Sequence, residues 1–267
     1  MLRKFSNSRT LNDNIRLGSL TAFSAGMVNI ASLLIFFSFT SNVTGHYAIL
    51  AAEIVKGNWY QVAIVLAWIF LFFFGSFTSN LIVVGFNKKN TYLAHALPIG
   101  LEIICLMVVG IYGQFFYQET LTETEILLCL MLFAMGLQNG LTASISNFAV
   151  KTTHLTGVTT DLGILTAMFT RKEFRANKKL RGKARLLLAI TISYLVGAIF
   201  AGFTYMYMQF KLFYIVSLFL VIVIAYDFYK LRLLRYLVAR RHKHEKAAQK
   251  ENDNLNTKGN KEESAAY

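Results

Sequence analysis

Between Tyr60 and Phe86 the chain reads YQVAIVLAWIFLFFFGSFTSNLIVVGF, without one charged residue. A helix rises about 1.5 Å per residue, so a run of this length spans the ~30 Å hydrocarbon core of a bilayer. Five further windows have the same character: Leu17–Phe39, Tyr92–Gly113, Ile126–Phe148, Leu186–Met208 and Leu212–Tyr229. Hydrophobic residues make up 55% of the 267, and mean hydropathy is +0.47. A soluble domain of this size would expose large apolar patches, and lipid removes that problem. The expectation is an all-α, polytopic membrane protein of about six transmembrane helices. The run from Leu17 is read as the first span, because polar residues follow it in place of a small-residue cleavage site.

Charge fixes the orientation. With the N-terminus inside and six alternating spans, every lysine and arginine except Lys56 and Lys211 falls on the cytoplasmic side. That asymmetry is the one expected of membrane proteins, and it places both termini in the cytoplasm. The domains follow: a cytoplasmic N-terminus at 1–16, a first membrane repeat at 17–113, an external loop at 114–125 carrying Glu119, Glu123 and Glu125, a second membrane repeat at 126–230, and a basic, disordered cytoplasmic tail at 231–267. An eight-span alternative also keeps both ends inside, but it puts Lys88 and Lys89 outside and ranks second. The net charge of +13 is thus assigned to loops and to anionic lipid beside Arg235 to Lys246, and nucleic acid is not invoked.

Two apolar segments are too short to span. Val43–Val55 carries Glu53 and Leu155–Phe169 carries Asp161. Lengths of about 10 to 15 residues fit half-helices that enter the bilayer without crossing. Each follows a similar signature. The first half has Gly26-Met-Val-Asn29 and then Asn42-Val-Thr44-Gly45; the second has Gly136-Leu-Gln138-Asn139 and then His154-Leu-Thr156-Gly157. Gly75-Ser76 and Gly197-Ala198 mark the middle of the next long span in each half. Three spans per half reverse the orientation of the second copy. The halves therefore form an inverted repeat, the plan by which many secondary transporters build one midplane site.

Thr44-Gly45-His46, the central Gly136-Leu137-Gln138-Asn139 and the later Thr153-His154-Leu155-Thr156-Gly157 together resemble the YoaK family of bacterial membrane proteins, over most of residues 15–230. The resemblance implies a small multi-span helical protein of the bacterial cytoplasmic membrane and carries no established substrate. The sequence departs from the family pattern at His46 and near Asp161.

Glu102 is the most informative single residue. A carboxyl near the middle of a span costs roughly 2.5–3.5 kcal/mol to insert, so it must face protein or water. It follows Pro98, the chain's one proline, by a turn. It is a candidate proton or cation site, or a neutral side chain bonded to a neighbouring helix. Asn29 and Asn139 are repeat-related amides able to bond across helices or to a solute. Asn42, Thr44, Gly45, Gln138, His154, Thr156, Gly157 and Asp161 complete the candidate substrate-binding set. Thr44-Gly45 and Thr156-Gly157 should open the half-helices, whose N-termini favour anions. The sequence holds no GxSxG, HExxH, phosphate loop or metal-spaced Cys/His cluster, so neither an enzyme nor a cofactor is expected. Two functions stand: a secondary transporter or channel for a small polar solute, and a non-transporting protein that assembles with or regulates a partner. The implied partners are the lipid bilayer and a small-molecule or ion substrate, with a homo-oligomer open.

Overall fold

A computed structural model of the protein describes residues 10–226 and 229. The chain divides into two units, Met1–Ile224 and Ala225–Tyr267, and the packing below is that of the first. The expected tail at 231–267 and the basic residues Arg3, Lys4 and Arg9 lie outside the described residues.

Every regular element among the described residues is a helix: α1 Leu11–Phe36, α2 Val43–Lys56, α3 Trp59–Phe86, α4 Thr91–Phe115, α5 Leu121–Ile145, α6 Leu155–Met168, α7 Lys172–Ala176 and α8 Lys178–Met208. A 3-10 turn at Gln209–Lys211 leads into a further helix, α9, over 212–226. Among the described residues five helical runs are long and apolar enough to cross a membrane, one of them the 49 residues Lys178–Tyr226. A straight helix of that length would reach about 70 Å, more than twice the hydrocarbon thickness. The chain instead breaks at Gln209, whose φ of 44° and ψ of −123° cannot continue an α-helix. The short helices α2 and α6 have 14 residues each, about 21 Å, and fall short of a span.

Helix starts differ from the apolar windows for a local reason. Thr10 and Asp13 form a capping box, so α1 begins before Leu17; Thr120 and Glu123 form another, so α5 begins at Leu121 and takes Glu123 and Glu125 out of the loop. Asn177 caps the amides of Lys179 and Leu180, which starts α8 one polar turn and more ahead of Leu186. Thr44 is not the cap of α2: Asn42 is, accepting from the Gly45 amide at 3.2 Å. His154 stands at the same place before α6 without a side-chain cap bond.

Contacts fix the helix directions. Gly18 packs on Ile190, Gly197 on Phe23, and the Tyr205 hydroxyl donates to the Leu34 carbonyl, so α1 and α8 run parallel. Tyr60 donates to Glu125, Ser76 to the Gly136 carbonyl and Ser144 to Asn80, so α3 and α5 also run parallel. Tyr112 meets Glu123 while Glu102 meets Gln138, which sets α4 against α5. Gly113 touches Phe210 and Tyr92 donates to the Ile224 carbonyl, so α9 returns along α4. Phe36 packs on Phe210 and Phe23 on Phe219, so α9 is antiparallel to α1 as well.

The two parallel pairs pack through the same glycines. A Cβ on Gly26 would strike the Tyr194 carbonyl, and one on Gly136 the Phe72 carbonyl; a Cβ on Gly197 would strike the Phe23 carbonyl, and one on Gly75 the Phe133 carbonyl. In lipid, where hydrophobicity drives no association between helices, such close backbone approach supplies the packing energy.

Candidate functional site

The turn that follows α1 is held by one amide. Asn29, 7% exposed, accepts at Oδ1 from the Thr40 amide (3.0 Å) and the Thr40 hydroxyl (3.2 Å), and its Nδ2 donates to the Tyr194 hydroxyl. Asn139 does the same after α5: its Oδ1 accepts from Thr152 and Thr153 hydroxyls, both at 3.1 Å, and its Nδ2 donates to the Met135 carbonyl at 3.0 Å. Each asparagine therefore anchors the segment that delivers the next half-helix.

Both half-helices begin at one cavity of about 1110 Å³. Its walls pair residues across the two halves: Asn29 with Asn139, Phe39 with Lys151, Asn42 with His154, Thr44 with Thr156, and Phe72 with Tyr194. Ser76, Asn80 and Ser144 add hydroxyls and an amide, and Phe73 and Phe77 an apolar side. Lys151 is the one fully charged side chain among the lining residues, which include no carboxylate. The amide ends of α2 and α6 carry the positive end of each helix dipole. The cavity can thus solvate an anionic or acceptor-rich group, and it offers a cation no carboxylate.

Gly45 and Gly157 lie just behind this wall. A Cβ on Gly45 would come within 2.6 Å of the Asn42 amide nitrogen, and one on Gly157 within 2.6 Å of the His154 ring. Their role is to let the residue before each half-helix fold its side chain over the first turn. His46 is buried against Trp68, with Nε2 at 3.0 Å from the Phe39 carbonyl; burial pushes its imidazole below its usual pKa, and that bond opposes the shift.

The remaining candidates stand elsewhere. Glu102 and Gln138 are fully buried and meet each other: Gln138 Nε2 donates to Glu102 Oε1 at 2.8 Å and to Ser24 Oγ at 2.7 Å. Neither lines the cavity. Asp161 pairs with Lys183 at 2.8 Å and ties α6 to α8. Glu53 binds Lys56 and Asn58 at the end of α2, and the Lys56 ammonium holds its carboxyl below the usual range. Among the described residues no three His, Cys, Asp or Glu side chains cluster as a metal site.

Lys151 and Tyr194 are cavity residues outside the set expected from sequence. The repeat contains a signal for Tyr194, which precedes Gly197 by three as Phe72 precedes Gly75. Lys151 had none, since its counterpart is Phe39.

The family model described as "Protein of unknown function (DUF1275)" matches residues 17–226, and the chain belongs to that family. It is the same family as the YoaK family that the motifs resemble. No curated protein and no solved structure matches the chain.

Proposed function

We propose that this member of the DUF1275 family is a secondary transporter or channel for a small polar solute in the bacterial cytoplasmic membrane. It is built of six spans in two inverted three-span repeats, with both termini cytoplasmic. The observation that carries this reading is the cavity at which both half-helices begin, whose lining includes equivalent residues of the two halves. The helix directions support inversion: α1 is antiparallel to α5 through their shared neighbours, yet α1 packs on α8 as α5 packs on α3. The solute end bound here is anionic or rich in acceptors, because Lys151, two helix amide ends and the asparagine amides face it without a carboxylate.

The test is flux. The purified full chain in proteoliposomes should pass members of a probe panel of chloride, nitrate, formate and phosphate above empty liposomes. Thr44→Ala and Lys151→Gln should lower that flux several-fold while melting close to the parent protein. Passage of potassium in preference to every anion would overturn the sign assigned to the cavity. Flux equal to empty liposomes for the whole panel, and for the neutral probes urea and glycerol, would remove the transporter reading.

A second reading rests on α3. Phe70, Phe73, Phe74 and Phe77 form a ladder of stacked, exposed rings, and Phe73 and Phe77 also border the cavity. A partner or a second copy seated on that ladder would make the protein an assembling component instead of a carrier.

A further inference from the structure

Away from the cavity, three helices meet at one polar contact. Gln138 of α5 uses both amide hydrogens, one on Ser24 Oγ of α1 and one on Glu102 Oε1 of α4. Ser24 passes the chain on, donating to the Thr21 carbonyl at 3.0 Å. Two buried oxygens are then left without a partner, and they belong to the same two side chains: Glu102 Oε2 and Gln138 Oε1. An ionised carboxylate cannot resolve this, because both atoms are acceptors. A carboxylic acid can. With a proton on Oε2, Glu102 donates to Gln138 Oε1 while Gln138 donates to Glu102 Oε1, and both orphans are satisfied in one acid–amide ring.

Glu102 is 0% exposed, and neither the Lys56–Glu53 nor the Lys183–Asp161 ion pair involves it. The groups that contact it from α5, and through α5 from α1, are an amide and a hydroxyl. On its own helix, Cys105 is the nearest thiol along the chain, and it carries no charge as a thiol. An unpaired carboxylate at this depth would bear the full cost of a buried charge, whereas the acid adds a hydrogen bond.

We propose that Glu102 is a proton-binding site, holding its proton at neutral pH in a two-hydrogen-bond ring with Gln138 that clasps α4 to α5 and, through Ser24, to α1. Loss of the proton would set two bare oxygens against each other, so ionisation and separation of α4 from α5 go together. Gln138 is followed directly by Asn139, which lines the cavity, so the clasp adjoins the proposed solute path. The proposal itself does not depend on transport.

Infrared difference spectroscopy on the purified chain in nanodiscs at neutral pH separates the two. The wild-type protein minus Glu102→Gln should show the C=O stretch of a protonated carboxyl, shifted on H/D exchange, with no carboxylate band lost. Glu102→Gln preserves the ring as an amide pair and should melt with the parent. In Gln138→Leu the acid loses its acceptor, and the C=O band should move to higher frequency. A carboxylate band in the difference spectrum would overturn the proposal, and so would a C=O band unmoved by Gln138→Leu. Both results are independent of any flux measurement, so a protein that fails to transport still tests the clasp.

Discussion

At the scale of single residues, the two ends of the repeat motif do separate work. Asn42 folds over the first turn of α2 because Gly45 leaves it room. Asn42→Ala should cost about 1 kcal/mol by losing the cap. Gly45→Ala should cost a similar amount by pushing the same amide away, and the double substitution should be no worse than Asn42→Ala alone. Thermal melting of the three variants checks this, and an additive double would give the glycine a different task. His46 sets a pH dependence with a definite sign. Its folded pKa is lowered, so the unfolded chain binds the extra proton more readily. Stability from this site is whole above the 6.5 of a free imidazole and declines as pH falls through it. The melting temperature should fall on acidification, and less so in His46→Gln. Asn29, Asn139, Thr44 and Thr156 were legible because each occurs twice. Glu102 was legible as buried but its partner was not. Gln138 and Asn139 are neighbours in sequence, yet consecutive helix residues point about 100° apart, so one enters the core and the other the cavity.

At the scale of elements, apolar windows located every long helix, and length alone separated α2 and α6 from the spans. The ends were less legible because a capping box extends a helix through polar residues that hydropathy assigns to a loop. The interfaces were marked by glycines whose neighbours no spacing rule names. Gly136 and Gly140, four apart on α5, lie against Gly75 and Ser76 of α3. Gly26 and Gly197 serve the α1–α8 contact in the same way. A methyl group at Gly136 meets backbone, which cannot rotate aside, so Gly136→Ala should destabilise by about 1–3 kcal/mol. Gly197→Ala should match it, since both sit at equivalent contacts. Gly202 faces open space, and Gly202→Ala should not destabilise. Melting in a single detergent compares all three.

At the scale of the molecule, charge placement, helix direction and a shared cavity come together. Basic residues predict which ends lie inside. The contacts give the relative directions of the helices with no reference to a membrane. The odd number of spans per half predicts inversion from sequence, while the place of Lys151 at the cavity needed the fold, because its counterpart Phe39 shares none of its chemistry. The central claim is that Thr44 and Thr156, carried in by the two halves, face one water-reachable path. With Cys105 and Cys129 replaced by alanine, Thr44→Cys and Thr156→Cys should each react with a membrane-impermeant thiol reagent, and modification of either should protect the other in the Thr44→Cys/Thr156→Cys double variant. Labelling of neither from either side of the membrane, or independent labelling of both at full rate, would contradict the account.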